Sequence, residues 1–333
     1  MRVLFDTYLP FGFAHGGVQV RYEHTVKALT AIGVDASPLA WWHDTVAGDV
    51  IHYFGRPTAH YIAYARSKGL RVVFTDLMGA LAARPRSVRR MQYLAMRGAQ
   101  AVLPEMMLNR LAWEAFRRAD ACMAQTEAEA DLMRRFMHAP PGKVHVIPNG
   151  VDAEFLAPSE GPREDALVCV AAIRPLKRVV EVGEAAVRAG VPMRFVGKPY
   201  AESDAYYLRF KSLVDRHDTL HYDGPVSDRA RLAAIYRQAR GFVLLSRMES
   251  YSIASAEAAA CGCPLLLSEL PWARSVYGDN ATYVRVGGAP SALADSLRTF
   301  HAQAPTLGPP PRPSSWTDVA RKLLTVYEGV CQG

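Results

Sequence analysis

The stretch from Gly241 to Pro264 does most to limit what this chain can fold into. Gly241-Phe242-Val243-Leu244-Leu245-Ser246 is short and apolar, the pattern of a strand buried on both faces. The Ala-rich run to Cys261 predicts a helix, stopped by Gly262 and Pro264. A buried strand running straight into a helix is the repeating unit of a parallel sheet with helices on its faces.

That unit recurs along the chain. In the first half, strands are predicted at 2–8, 49–54, 70–74, 101–103, 119–124 and 144–147, with helices at 18–32 and 127–137. In the second half, strands are predicted at 167–173, 193–196, 220–222, 241–246, 263–267 and 281–286, with helices at 179–189, 206–216 and 229–238. A proline-rich linker spans 304–313. The expected fold class is α/β: two Rossmann-like domains facing a cleft, with ligands at the carboxyl ends of the strands. The boundaries expected are 1–155, 156–315 and 316–333.

A chain of 333 residues has room for two such domains, and its 50% hydrophobic content supplies both cores. It contains no run of ~18 uninterrupted apolar residues, which argues against a spanning helix. Asp6 interrupts the only apolar candidate for a leader at the N-terminus. The cysteines, Cys122, Cys169, Cys261, Cys263 and Cys331, are odd in number, and reduced thiols in a cytoplasmic protein are expected. Cys261 and Cys263 lack a partner pair at zinc spacing, so no metal site is expected.

The acidic residues of the Gly241–Pro264 stretch carry the most chemistry. Glu249 falls in the strand-to-helix loop and Glu257 one to two turns inside the helix. Between them lies a helix N-terminus, whose free backbone N–H groups and dipole favour an anion. Carboxylates accept paired hydrogen bonds from adjacent sugar hydroxyls. Two acceptors flanking an anion site suit a ligand that is part sugar and part phosphate. The plainer alternative makes Glu249 a helix cap and Glu257 a solvated surface residue, but it leaves an acid in an otherwise apolar helix unexplained.

This run resembles the Glu-x7-Glu motif of the retaining GT-B glycosyltransferases of family 4, also called glycosyl transferases group 1. Val144-His145-Val146-Ile147-Pro148-Asn149-Gly150-Val151-Asp152 is similar to that family's interdomain segment, and Tyr222-Asp223-Gly224-Pro225-Val226 to its second-domain strand and turn. Ser315-Trp316 followed by Val319 to Val330 resembles its closing helix, which the resemblance implies packs back towards the first domain. The resemblance implies transfer of a sugar from a nucleoside diphosphate sugar to an acceptor hydroxyl, in the synthesis of a cell-surface glycan or glycoconjugate. It needs no cofactor beyond the donor. It makes Glu249 and Lys177 catalytic, with Glu249 at the donor sugar, Lys177 at the diphosphate and Glu257 at the ribose hydroxyls. Gly16, Gly17, Arg174, Arg178, Gly197, Ser250, Tyr251, Ser252 and Ile253 complete the donor-binding set.

Three positions depart from the family pattern. Ala172 stands where an arginine is usual, five residues before Lys177. Ser252 stands where glycine is usual, and Val72–Gly79 lacks the histidine found near the donor sugar. Asp76 and His52 are the polar candidates nearest that histidine's place. His15-Gly16-Gly17 does not match the dinucleotide fingerprint Gly-x-Gly-x-x-Gly. No Asp-x-Asp pair follows a strand, so metal-independent chemistry is expected.

The net charge is +7. From Arg71 to Arg118 nine arginines face three acidic residues, with Leu, Met, Tyr and Trp interspersed. No RNA- or DNA-binding module accompanies them, so nucleic acid is not an expected partner. The expected partners are a nucleotide sugar and a glycan or lipid-linked acceptor, with peripheral contact of the arginine-rich stretch to an anionic membrane. The alternative for that stretch is that its apolar residues are first-domain core and its arginines a solvated outer face. Two further functions stay open: a sugar-nucleotide epimerase or hydrolase, and a non-catalytic sugar-nucleotide-binding protein.

Overall fold

The computed structural model describes residues 1–8, 10–11, 17–43, 45–108, 112–158 and 161–333. It divides into two compact units: Met1–Gly150 with Trp316–Gly333, and Val151–Ser315. The short helix Ala153–Leu156 lies in the second unit, where Phe155 is fully buried in the core.

The first unit is built on six strands: β1 (Arg2–Thr7), β2 (Asp35–Pro38), β3 (Val50–Phe54), β4 (Arg71–Thr75), β5 (Ala121–Ala124) and β6 (Val144–Val146). All pairs are parallel, in the order β2-β1-β3-β4-β5-β6. The second unit repeats the plan with β7 (Leu167–Val170), β8 (Met193–Val196), β9 (Leu220–Tyr222), β10 (Gly241–Leu244), β11 (Leu265–Ser268) and β12 (Thr282–Val284). Its order is β12-β11-β10-β7-β8-β9, again all parallel. In each sheet the chain builds outward one way, then restarts beside the first strand. That reversal falls between β1 and β3 in the first unit and between β7 and β10 in the second.

Strands covered on both faces read as nearly continuous apolar runs, and β3, β5, β10 and β11 are buried at every position. Alternate residues feed two cores per sheet. In the first unit Ile51, Val72 and Phe74 join one cluster while Val50, Phe54 and Val73 join the other. The helix Trp316–Gln332 closes the second of these clusters. Its Trp316, Val319, Ala320, Leu323 and Tyr327 recur on one face and are all buried.

The strand expected at Ala101–Leu103 is instead the end of the helix Arg86–Val102. The three apolar residues continue a run rich in Ala, Arg, Met and Gln, all good helix formers, and nothing breaks it before Pro104. The edge strand β2 and the helices Ala59–Ser67, Pro271–Tyr277 and Pro290–Gln303 were not predicted.

Candidate active site

Open parallel sheets bind ligands at the carboxyl ends of strands, where the strand order reverses. In the second unit two loops meet at that point. After β7 the chain makes a tight turn, Pro175–Lys177, and Arg178 adopts the left-handed conformation (φ 56°) before the helix Val179–Ala189. After β10 a loop leads to the helix Ile253–Ala260. The Arg247 amide donates to the Leu176 carbonyl at 2.9 Å, tying the two loops together. Beside that tie the Lys177 ammonium donates to Glu249 Oε1. Their side chains are 19% and 13% exposed, so each has exchanged much of its water for the other.

The remaining basic residues of the turn differ from one another. Arg174 donates to the Tyr200 hydroxyl at 2.7 Å and lies over its ring at 5.5 Å. Arg178 is buried, and no described carboxylate pairs with it. Gly197, just past β8, is held at φ 149°, and a Cβ there would lie 1.9 Å from the Ala171 carbonyl oxygen. Only glycine lets the end of β8 come this close to the loop after β7.

The helix Ile253–Ala260 begins at Ser252, whose hydroxyl accepts from the Ser255 amide at 3.1 Å. Tyr251 points into the core near Trp272, so a ligand would meet its backbone rather than its ring. Glu257 is 3% exposed, which overturns the solvated alternative. Arg229 Nη2 donates to its Oε1, and the Tyr236 hydroxyl donates to its Oε2 at 3.1 Å. Arg229 Nε also donates to Asp152 at 2.8 Å, and its guanidinium lies 4.6 Å from the centre of the Phe155 ring. Burial pushes the Glu257 carboxyl above the usual carboxylate range, and Arg229 pulls against it. Burial and the Glu257 carboxylate raise Tyr236 as well, so it keeps its proton. Asp152, Arg229 and Tyr236 were not singled out in the sequence. One signal was available, since a carboxylate inside an apolar helix needs a nearby cation.

In the first unit the expected residues part company. Gly16 lies outside the described residues. Gly17 starts the helix Gly17–Ala31, and a Cβ there would meet nothing within 4 Å. His52 is wholly buried; its Nδ1 lies 2.6 Å from the Tyr327 hydroxyl and its Nε2 2.8 Å from Thr75 Oγ1. Burial, aided by the charge of Arg21, pulls its pKa down to about 3. With both ring nitrogens engaged inside the core, His52 is a structural histidine and not a sugar ligand. Asp76, at the carboxyl end of β4, accepts from Arg56 Nε at 2.9 Å. Asp6 in β1, marked in the sequence only as a break in an apolar run, accepts from the Tyr61 hydroxyl at 2.6 Å and Trp41 Nε1 at 3.0 Å.

Two family models match: Glycosyltransferase Family 4 over residues 40–155, and Glycosyl transferases group 1 over residues 164–303. The chain belongs to the family-4, group-1 glycosyltransferases. It is similar to a D-inositol 3-phosphate glycosyltransferase of Jonesia denitrificans, with 28% identity over 230 residues, 61% of this chain and 48% of that one. The chain thus matches about half the length of this curated relative. Among solved structures, the fold resembles sucrose-phosphate synthase from Thermosynechococcus elongatus (TM-score 0.70, 15% identity, 99% of each chain). It also resembles Anabaena Alr3699/HepE in complex with UDP and glucose (TM-score 0.64, 12% identity, 98% of this chain and 99% of that one). The glycosyltransferase fold is GT-B, and the Lys177–Glu249 pair lies at the sheet reversal of its second unit.

Proposed function

We propose that this glycosyltransferase moves a sugar from a nucleoside diphosphate sugar to a hydroxyl of a glycan or lipid-linked acceptor, with retention of anomeric configuration and without a metal ion. The meeting of Lys177 and Glu249 at the reversal point of the second sheet carries this reading. A cation suited to a diphosphate and a carboxylate suited to sugar hydroxyls stand side by side there, at the start of a helix. The UDP and glucose in the similar HepE structure make a UDP-sugar the first donor to try.

In this reading Lys177 turns from Glu249 to the diphosphate, and Glu249 is released to the donor sugar. Arg178 and Arg174 add positive charge beside the leaving group. Backbone N–H groups of Ser250 to Ile253 take the β-phosphate and the sugar. Glu257 accepts the ribose hydroxyls through the lone pairs left over from Arg229 and Tyr236, which hold its carboxylate in place. Cations and helix dipoles then stabilise the charge that develops on the departing diphosphate.

A thermal-shift screen of the full chain against UDP-, GDP-, ADP- and TDP-sugars identifies the donor, since a bound ligand raises the melting point. The stabilising donor is then incubated with and without an acceptor panel. Consumption that requires acceptor supports the transferase. A donor altered without acceptor points to an epimerase or hydrolase, and binding with no turnover points to a non-catalytic binding protein.

A further inference from the structure

From Gly79 to Pro104 the sequence holds five arginines and no acidic residue. Most of this stretch is the 17-residue helix Arg86–Val102. A helix that long on a globular unit ordinarily buries an apolar stripe. Here Met96 is the only buried side chain among those described. Tyr93 marks the same inward side, with its ring 6.0 Å from that of Phe136 and 5.6 Å from that of His138.

The apolar stripe points the other way. Val88, Met91, Leu94, Ala95, Gly98, Ala101 and Val102 recur at spacings of three and four, and all are exposed. Met91 is 69%, Leu94 59% and Val102 79% exposed. At 3.6 residues per turn, Arg90 and Arg97 fall together along one border of this stripe. Both are exposed, and neither pairs with a described carboxylate. Met106 and Met107, also exposed, follow in the short helix Glu105–Leu108.

We propose that this face of the helix lies in the headgroup layer of an anionic phospholipid membrane. The stripe would enter the boundary between headgroups and acyl chains, and Arg90 and Arg97 would pair with lipid phosphates. Charge selects this occupant. A second copy of the chain would bring the same acid-free, arginine-bordered face up against itself. Nucleic acid would meet Met91 and Leu94 where it needs cations. No helix of the described residues is long and apolar enough to cross a membrane, so the contact is peripheral. The proposal stands apart from the donor-site reading, because vesicle binding can be measured without any sugar nucleotide.

The test is co-sedimentation of the full chain with phosphatidylcholine vesicles, with and without phosphatidylglycerol, at low and high salt. Binding only to the anionic vesicles, weakened by salt, is expected. Arg90→Glu with Arg97→Glu should lower it by roughly tenfold or more. Met91→Ser with Leu94→Ser should lower it at both salt concentrations. All four side chains are exposed, so melting temperatures should hold and confirm folded variants. Equal binding to neutral and anionic vesicles, or binding indifferent to both double variants, overturns the proposal. So does a dimer in sedimentation velocity that Met91→Ser with Leu94→Ser dissociates, since the stripe would then join two copies.

Discussion

Lys177 and Glu249 neutralise one another in the structure, so removing either one changes the other's freedom. Lys177→Ala should weaken free UDP by on the order of tenfold or more, because a charged hydrogen bond to phosphate is lost. Glu249→Gln should leave UDP binding unchanged or tighten it, since the lysine is released, while turnover falls sharply. Calorimetric titration with UDP beside a turnover assay separates the two, and equal loss of UDP binding in both variants would refute the division of roles. His52 makes a separate prediction about pH. Its pKa is pulled down to about 3 in the folded chain from the ordinary 6.5. The unfolded chain therefore binds the extra proton first. Stability from this residue is complete above pH 6.5 and drains away as pH falls towards 3. Between pH 6 and pH 4 the wild type should lose about 2–3 kcal/mol more than His52→Gln in urea melts. Parallel curves would show that His52 is not held neutral. The residue scale is also where the sequence was least legible. The charge pattern pointed to Glu257, but not to Arg229 and Tyr236, 28 and 21 positions away, nor to Asp152, 77 positions from the Arg229 it pairs with, because only the fold brings them close.

Strands were easier to read. The runs at Val50, Gly241 and Leu265 are apolar because helices cover both faces, and that composition is visible in the sequence. The edge strand β2, Asp35–Pro38, has no such run and was missed. Helix 86–102 was missed for the opposite reason. Its apolar residues point outward and its inward side is mixed, so the usual amphipathic pattern does not mark a core. Gly197 shows how far one position can govern an element. An alanine there would need an unfavourable φ of 149° and place its Cβ 1.9 Å from the Ala171 carbonyl oxygen. The end of β8 would have to separate from the loop after β7. Gly197→Ala should lower stability by about 2–4 kcal/mol and weaken donor binding with it. Gly17→Ala, with open space around it, should be nearly neutral by comparison. Matching losses in chemical denaturation would contradict this account.

The second unit is a single continuous stretch, Val151–Ser315, with two buried clusters of its own. Its ends lie together: the Val151 amide donates to the Ser314 carbonyl at 3.0 Å, and Val151 bridges to Ser315. Expressed alone, residues 151–315 should fold cooperatively and still bind the nucleotide that stabilises the full chain. A fragment without a cooperative melt would mean that this unit depends on the rest of the protein.

The first unit is not continuous, because the helix Trp316–Gln332, which packs in one cluster with Phe5, Phe54 and Val73, follows the second unit in the chain. During synthesis the second unit can therefore finish before the first. Until that helix leaves the ribosome, His52 lacks Tyr327, and that side of the first sheet keeps only part of its cover, from the helix Gly17–Ala31. The nascent chain thus carries a finished second unit behind an unfinished first one, which is the form that a chaperone would meet. A stop codon just after Ser315 would spare the later-made unit and disable the one made first.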